Sequence, residues 1–390
     1  MSQTPPSFPR ELGTAHLIDR PDQLGELQSA LKGITRLALD TESNSLYAYT
    51  EQVCLIQLST DQADFLIDPI SLDRNDLAFL GEICANPDIE KVLHAAEYDI
   101  MVLRRDLGFD FAHIFDTMTA VRVLGQANIG LAALLSEHYG VELNKSHQRA
   151  NWGHRPIAPN LLDYAQLDVH YLLPLRDKLH QSLTAAGQLE EASELFAEVC
   201  QARWRGSGFD PEGFWNINGA RALAHPGLAI IRELYHYRED QARQHNMPVF
   251  KVMSDAALVK LALARPRSLD EMRQNHMLSD SQLRRYGRDI IACVKRGSKA
   301  NPPQPTHRSN NVDEVTLRRF EALHNWRKEK ATSRGLSSDI IVSKDALWEL
   351  AATSPRTISD LSALHFLGPW RRKVYGEEIL QILSNVDNGQ

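Results

Sequence analysis

The chain has 390 residues, of which 43% are hydrophobic and 24% charged, a composition typical of two or three globular domains. Residues 1–10 contain three prolines and no apolar stretch, and no run approaches the roughly 18 apolar residues of a membrane span. We therefore expect neither a signal peptide nor membrane insertion. Four cysteines lie far apart without a CxxC pair, so the sequence predicts no disulfide framework or zinc knuckle and favours a cytoplasmic location.

The net charge of −7 is unevenly distributed along the chain. Residues 1–200 carry 14 basic and 29 acidic side chains, a charge of −15, whereas residues 201–390 carry 29 and 21, a charge of +8. Net acidity argues against a nucleic-acid partner, because phosphate binding depends on clustered Lys and Arg. The uneven distribution removes that objection for the second half of the chain.

The acidic half has the pattern of an α/β domain with a mixed sheet. Short apolar runs at residues 34–40, 53–58 and 64–67, bounded by turn residues, predict three consecutive strands in a meander. Alternating helix and strand follow, unlike a doubly wound nucleotide-binding fold. Asp116 is predicted to cap one helix. The further predicted elements are a strand at 91–94 and helices near 75–84, 98–107, 117–124, 131–139, 159–180 and 183–200.

The basic half contains a repeat with a period of 89 residues. Residues 206–213 and 298–311 have the composition of linkers and bracket the repeated units. The matching positions need no gap and include Leu234 with Leu323, Pro266-Arg267 with Pro355-Arg356, and Tyr286-Gly287 with Tyr375-Gly376. A fixed period of this kind predicts two small helical modules of about eighty residues each.

Acidic residues at the ends of predicted elements are the sharpest chemical signal. Asp40 and Glu42 follow the first strand two residues apart, on the same side of an extended chain. Asp99 lies at the start of a helix after the fourth strand, and Tyr164 and Asp168 share a helix face. Each residue alone is better explained as a solvated acid or a packed aromatic. Together they form a set of hard oxygen ligands for Mg²⁺ or Mn²⁺.

The segments DTE, HAAEYD and YAQLD, in this order, resemble the three exonuclease motifs of the DEDD superfamily in its tyrosine-bearing subgroup. The repeated modules resemble HRDC domains, and the whole arrangement, over about residues 17–383, resembles bacterial ribonuclease D. The resemblance implies a ribonuclease H-like exonuclease domain over residues 1–205 and HRDC-type modules over 214–298 and 310–387. The chain departs from the family pattern at Ser43-Asn44-Ser45, where most members carry an aromatic residue and an arginine.

The resemblance also implies a mechanism. Asp40, Glu42, Asp99 and Asp168 would hold two divalent ions, Mg²⁺ or Mn²⁺, and Tyr164 would position and help deprotonate the attacking water. The implied activity is that of a 3′–5′ exoribonuclease that releases mononucleotides from RNA 3′ ends, with tRNA precursors as substrates. We expect a monomer. Two alternatives stay open: the same site acting on DNA, and a non-catalytic scaffold that binds nucleic acid.

Substrate contacts are predicted in both halves of the chain. His94, Trp152 and Arg155 are candidates in the first domain, although a histidine at a strand end is as often simply hydrogen-bonded. Basic clusters of the second half, including Arg371 and Arg372, would attract the phosphate backbone, while Tyr286, Trp326 and Trp370 would stack on bases. The ordinary alternative for each cluster is a solvated helix face. Deletion of the chain after about residue 206 is expected to spare hydrolysis of short oligonucleotides.

Overall fold

The computed structural model of the protein describes residues 10–204, 206, 208–304, 313–364 and 366–389. The chain divides into two compact units. One comprises Met1–Glu42, Val53–Trp204 and Ser309–Gln390, and the other comprises Ser43–Gln52 and Arg205–Arg308. The predicted domain limits at residues 205 and 310, and half of the predicted linker 298–311, lie outside the described residues. The domain boundaries therefore stay predictions.

The first unit is built around a mixed sheet, as predicted. Strand β2 is parallel to β5, β5 to β6, and β1 to β4, whereas β3 and β4 are antiparallel. The meander strands β2, β3 and β4 are neighbours in the sheet order β1-β4-β3-β2-β5-β6. The sequence did not predict β1 and β6, because a three-residue strand is too short to show a period of two. The strands are β1 (His16–Ile18), β2 (Arg36–Ser43), β3 (Val53–Ser59), β4 (Asp64–Ile67), β5 (Glu90–Leu93) and β6 (Ile114–Asp116).

Helices cover the sheet at positions close to those predicted. The expected helix 159–180 is two helices, because Pro174 lacks the N–H that would bond to the carbonyl of His170. The expected helix 183–200 begins only at Leu189, after Gly187 adopts a left-handed conformation with φ of 66°. The helices are α1 (Leu24–Ala30), α2 (Ala78–Ala85), α3 (Glu97–Leu107), α4 (Thr117–Val123), α5 (Leu131–Tyr139), α6 (Pro159–His170), α7 (Leu172–Ala185) and α8 (Leu189–Val199).

The repeat of 89 residues is visible in the helices of the basic half. Adding 89 to the limits of α10 and α11 reproduces those of α15 and α16. The first module contains α9 (Gly227–Gln244), α10 (Val249–Val252), α11 (Asp255–Ala264), α12 (Leu269–Gln274) and α13 (Asp280–Gly297). The second contains α14 (Glu314–Arg334), α15 (Ser338–Ile341), α16 (Lys344–Thr353), α17 (Ile358–Ser362) and α18 (Pro369–Asp387).

Arg238 and Arg327, a further pair of residues that the repeat of 89 matches, are structural. The buried Arg238 donates to the carbonyl of Met253 at 3.2 Å, and Arg327 donates to the carbonyl of Val342 at 3.0 Å, 89 residues further on. Each arginine ties the first long helix of its module to the segment after the next short helix. The matching sequence positions therefore reflect a shared core contact.

The second module packs against helix α8 inside the first unit. Ile340 lies in the same apolar cluster as Leu195 and Phe196 of α8. Arg371 of α18 is 1% exposed and lies 2.8 Å from Glu194. This burial contradicts the prediction that Arg371 contacts nucleic acid. It also argues against the expectation that the chain after residue 206 can be removed without effect on the first domain.

Two further sequence expectations concern cysteines and membranes. Cys54, Cys84, Cys200 and Cys293 are free and buried. Among the helices that the structure describes, none combines the length and the apolar character needed to cross a bilayer. The four thiols thus contribute to the apolar cores as small hydrophobic side chains.

Candidate active site

Strand β2 carries two of the predicted acids to one side of the sheet. Leu37 and Leu39 pack in one apolar cluster and Ala38 in another, so side chains alternate between the two faces. Asp40 and Glu42 continue the row of Ala38 and are half-buried. The alternation therefore fixes both carboxylates on the same face, as the sequence predicted.

Thr41, between the two acids, holds the third acid in place. Its buried hydroxyl donates to Asp99 Oδ1 at 2.5 Å. Asp99 is the third residue of α3, in the first turn, where a carboxylate interacts favourably with the helix dipole. The sequence analysis did not single out Thr41, although its position between two acids was the available signal.

Helix α6 presents two different polar faces. Tyr164 and Asp168, four residues apart, face the acids of β2, and the Tyr164 hydroxyl lies close enough to the Asp168 carboxylate to influence its pKa. Two residues further on from each, Gln166 and His170 lie roughly on the opposite side of the helix and both donate to Asp64 Oδ2, each at 2.8 Å. The Asp64 contacts therefore set the rotation of α6 that turns Tyr164 and Asp168 towards the site.

Asp64 is an ionised carboxylate with polar and cationic neighbours. Burial opposes its ionisation, but hydrogen bonds from His170, Ser59, Gln166 and Arg10 outweigh burial and lower its pKa to about 2. Arg10 also forms an ion pair with it. The sequence analysis missed this network, because a polar residue at the start of a strand has no distinctive pattern.

The four acids of the site raise one another's pKa values. Burial and repulsion from Asp168 and Asp99 raise the pKa of Glu42 to about 9. Burial raises the pKa of Asp99 to about 7 against the Thr41 hydrogen bond, and burial raises that of Asp168 to about 7 against the Tyr164 hydrogen bond. The pKa of Asp40 is raised well above its usual value by burial and then by Asp99, Asp168 and Glu42. The four carboxylates are therefore close enough to form one electrostatic cluster.

This cluster lacks a protein cation. In the part of the chain that the structure describes, none of the four acids forms an ion pair with Lys, Arg or His. Nor are three His, Cys, Asp or Glu side chains there already gathered as a metal-binding group. Buried carboxylates need a positive partner to ionise, and oxygen ligands suit Mg²⁺ and Mn²⁺. The donor chemistry of the four acids therefore fits divalent ions, which would draw them together.

Trp152 and Arg155 are placed differently from the prediction that they line a substrate channel. Trp152 is 1% exposed and packs in one apolar cluster with Tyr164, their ring centroids 6.3 Å apart. Arg155 donates to both carboxylate oxygens of Asp68, at 2.6 and 2.7 Å, and to the carbonyl of Cys54. Their contacts contradict a direct role for Trp152 in binding RNA and give Arg155 a role in holding the loop that packs Trp152 on Tyr164.

The remaining predicted substrate contacts have different surroundings. His94 is half-buried, with its Nδ1 2.9 Å from Thr117 Oγ1, and burial lowers its pKa. Arg372 is half-buried and donates to the carbonyl of Leu367 at 2.6 Å. Tyr286 and Trp326 are buried, 3% and 7% exposed, which contradicts the prediction that they stack on bases.

Comparison with known proteins identifies the domains. The sequence model of the 3′–5′ exonuclease family matches residues 15–184, and that of the HRDC domain matches residues 227–294 and 316–383. Ribonuclease D of Musicola paradisiaca (strain Ech703) is 28% identical over 375 residues, which cover 95% of this chain and 98% of that protein. The chain contains a 3′–5′ exonuclease domain followed by two HRDC domains and is homologous to ribonuclease D over nearly its whole length.

Two further similarities concern a solved structure and an exosome protein. The crystal structure of Escherichia coli RNase D, described as an exoribonuclease involved in structured RNA processing, superimposes with a TM-score of 0.64 at 26% identity, covering 96% of this chain and 99% of that one. Exosome complex component 10 of Rattus norvegicus is 31% identical over 266 residues, 66% of this chain. The chain spans only 30% of the length of that exosome protein. The predicted fold class, a mixed α/β exonuclease domain followed by helical HRDC domains, is confirmed.

Proposed function

We propose that this ribonuclease D homologue is a metal-dependent 3′–5′ exoribonuclease that releases 5′-mononucleotides from RNA 3′ ends. The observation that carries the proposal is the cluster of Asp40, Glu42, Asp99 and Asp168 beside Tyr164, with no Lys or Arg paired to it among the described residues. The names of its relatives, ribonuclease D above all, support RNA rather than DNA as the substrate.

The four acids would hold two divalent ions, Mg²⁺ or Mn²⁺. When bound, such ions activate water and stabilise the charge that develops on the phosphate and the leaving 3′ oxygen. The protein supplies the geometry: Thr41 holds Asp99, and Tyr164 lies beside Asp168 at the edge of the cluster. Burial, followed by Asp168, Glu42 and Asp40, raises the pKa of Tyr164 above its ordinary value. Tyr164 is thus a protonated donor in the metal-free protein, suited to orienting the attacking water.

A nuclease assay tests this function. The full chain is incubated with a 3′-extended RNA and with the DNA of the same sequence, with Mg²⁺, with Mn²⁺ or with EDTA. We expect mononucleotides from the RNA 3′ end only when a divalent ion is present. The variant Asp40→Asn/Asp168→Asn should be inactive, with Asp61→Asn/Asp73→Asn as a matched control that changes two acids elsewhere in the first unit. Full activity of the first variant, or hydrolysis in EDTA, would contradict the proposal.

We further propose tRNA precursors as the natural substrates and the cytoplasm as the location. A family relative is described as acting in structured RNA processing, and four buried free thiols suit a reducing compartment. The test is the length of tRNA 3′ ends in cells that lack the protein. Mature ends of normal length in such cells would argue against tRNA precursors while leaving the exonuclease activity untouched.

A further inference from the structure

Gln57, in the middle of β3, is a buried amide without a partner. Its side chain is fully buried, and neither its nitrogen nor its oxygen has a hydrogen-bond partner among the described residues. Buried polar groups in folded proteins are almost always hydrogen-bonded, because an unpaired one costs free energy. The presence of a glutamine at this position therefore needs an explanation other than packing.

The residues on either side of Gln57 show which face of the sheet it occupies. Ile56 and Leu58 pack in the same apolar cluster as Leu39 of β2. Because side chains alternate along a strand, Gln57 lies on the opposite face, which on β2 carries Asp40. Strands β2 and β3 are neighbours in the sheet. The amide and the carboxylate therefore lie on the same face of adjacent strands.

The hairpin that joins β2 and β3 brings the two side chains to the same level. The Asn44 N–H donates to the Gln52 carbonyl at 3.3 Å. Counting along both strands from that pair leads from Asp40 to the residue just before Gln57, whose side chain lies on the other face. The side chains of β3 nearest to Asp40 on its own face are therefore those of Leu55 and Gln57. The Cβ atoms of such neighbours are about 5 to 8 Å apart, within reach of a glutamine.

Helix α6 covers this part of the sheet. It packs on both β3 and β4. Leu66, the residue of β4 that pairs with Gln57, lies in one apolar cluster with Tyr164 and Ala165 of α6. Leu66 has no polar side-chain atom, whereas Asp40 on the other side has two acceptor oxygens. Gln57 is therefore enclosed under α6 between an apolar side chain and a carboxylate of the acid cluster.

A second buried glutamine provides an internal comparison. Gln166 of α6 is also buried, and its amide donates to the carbonyl of Gly13 at 2.7 Å and to Asp64 Oδ2 at 2.8 Å. The amide of Gln166 thus has partners that maintain the fold, and Gln57 has none among the described residues. The acceptor beside Gln57 on its face of the sheet is Asp40.

We propose that Gln57 is a positioning residue of the metal site, whose amide N–H donates to the Asp40 carboxylate when the four acids gather around the ions. The proposal rests on the proposed function, because it assumes that Asp40 holds divalent ions. Hydrogen-bonded groups behind metal ligands fix the orientation of those ligands, and their loss typically costs roughly 10- to 100-fold in metal affinity or activity. The ordinary alternative is an amide that bonds only to internal water and has no influence on the ions.

The substitution Gln57→Met tests the proposal, because methionine has an unbranched side chain of similar length without the amide. Three quantities are measured on the full chain: the affinity for Mn²⁺ without RNA, by isothermal titration calorimetry; kcat and KM on a 3′-extended RNA; and Tm in EDTA. Leu58→Met, which introduces the same side chain one position along β3 on the other face, is the matched control for metal binding and activity. Gln166→Met, which removes a buried amide with partners, is the control for stability.

We expect Gln57→Met to bind Mn²⁺ roughly tenfold or more weakly and to lose a similar factor in kcat, with KM for RNA unchanged. Its Tm in EDTA should not fall, because the substitution removes a buried amide that has no partner, whereas Gln166→Met should lower Tm. Leu58→Met should keep the Mn²⁺ affinity and kcat of the unaltered protein.

Three results would overturn the proposal: an unchanged Mn²⁺ affinity in Gln57→Met, an equal loss of affinity in Leu58→Met, or a fall in Tm as large as that of Gln166→Met, which would make Gln57 a structural residue. The affinity is measured without RNA, so it separates this proposal from the proposed function. If the unaltered protein binds Mn²⁺ but does not hydrolyse RNA, the proposed activity fails and the comparison of affinities still decides the role of Gln57. If the unaltered protein does not bind Mn²⁺, both proposals fail.

Discussion

Arg371 Nε lies 2.8 Å from Glu194 Oε1, and Arg371 Nη2 lies 2.6 Å from Glu198 Oε1, across the contact between α18 and α8. The Arg371 side chain is 1% exposed and that of Glu194 is 7% exposed. A second arginine, Arg334, pairs with the buried Glu191 one turn earlier on α8. Acidic residues of the first domain thus form ion pairs with basic residues of the second module. The first domain and the second module belong to one compact unit.

Removal of Arg371 should destabilise the first unit. In Arg371→Ala, Glu194 stays buried without a cation, and leaving one member of a buried pair uncompensated costs roughly 3 to 5 kcal/mol. Urea unfolding of the full chain, followed by tryptophan fluorescence, measures this loss. The control Lys373→Ala, an exposed neighbour on α18, should change the free energy of unfolding by less than about 0.5 kcal/mol. Equal stability of the two variants would show that the attachment is not maintained in solution.

Tyr164→Phe should separate catalysis from binding. The substitution removes the hydroxyl beside Asp168 but keeps the ring packed beside Trp152. We expect kcat on RNA to fall by about 10²-fold, the lower range for a group that acts on a proton in the transition state, with Kd for RNA in EDTA unchanged. Tyr139→Phe, in a half-buried tyrosine of α5, is the control and should keep kcat. A variant of Tyr164 with normal kcat would leave the phenol without a catalytic role.

Stability and metal binding should depend on pH in a linked manner. The pKa values of Asp99 and Asp168, about 7, and of Glu42, about 9, are raised above those of the unfolded chain by burial and mutual repulsion. The folded state therefore holds these protons more tightly. Their stabilising contribution is complete below about pH 4 and is lost as the pH rises through 7 to 9.

Thermal unfolding measures this linkage. In EDTA, we expect the contribution of the site to the free energy of unfolding to fall between pH 6 and pH 9. Saturating Mg²⁺ should raise Tm more at pH 9 than at pH 6, because at lower pH protons compete for the same oxygens. The variant Asp40→Asn/Asp168→Asn should lose most of the Mg²⁺ effect. A shift of Tm that is independent of pH would contradict the assignment of these carboxylates as ligands.

Asp64 should stabilise the first unit through its contacts with helix α6. In Asp64→Asn, the buried ion pair with Arg10 is lost and the hydrogen bonds from Gln166 and His170 weaken, so we expect a loss of roughly 3 to 5 kcal/mol in the free energy of unfolding. Because the folded pKa of about 2 is below the unfolded value, this contribution is present above about pH 4 and disappears as the pH falls towards 2. The exposed Asp61, changed to Asn, is the control. The assignment would be contradicted if the two variants were equally stable at pH 7, where the loss is expected.

The residues that the structure brings together in the candidate site could largely be predicted from the sequence. Asp40, Glu42, Asp99, Tyr164 and Asp168 stand at positions fixed by local rules, namely alternation along a strand and spacing along a helix. The same holds for the repeat of 89 residues, whose helix limits agree to within two residues in both modules. Asp64 could not be predicted as a support of α6, because its partners Gln166 and His170 are about a hundred residues away and only folding brings them together.

The sequence by itself determined which residues can do chemistry and which helices repeat, because both depend on neighbours a few positions apart. Only the tertiary structure decided what each basic or aromatic residue does. Arg371 and Arg372 are adjacent in the sequence, yet one is enclosed against α8 and the other is half-buried beside a carbonyl. Trp152 is enclosed beside Tyr164, whereas Arg284, Arg288 and Lys295 stay exposed. A charged side chain can contact solvent, a ligand or an opposite charge. Which of these it contacts depends on the surfaces that the folded chain covers, and the periodicity of the sequence carries no information about those surfaces.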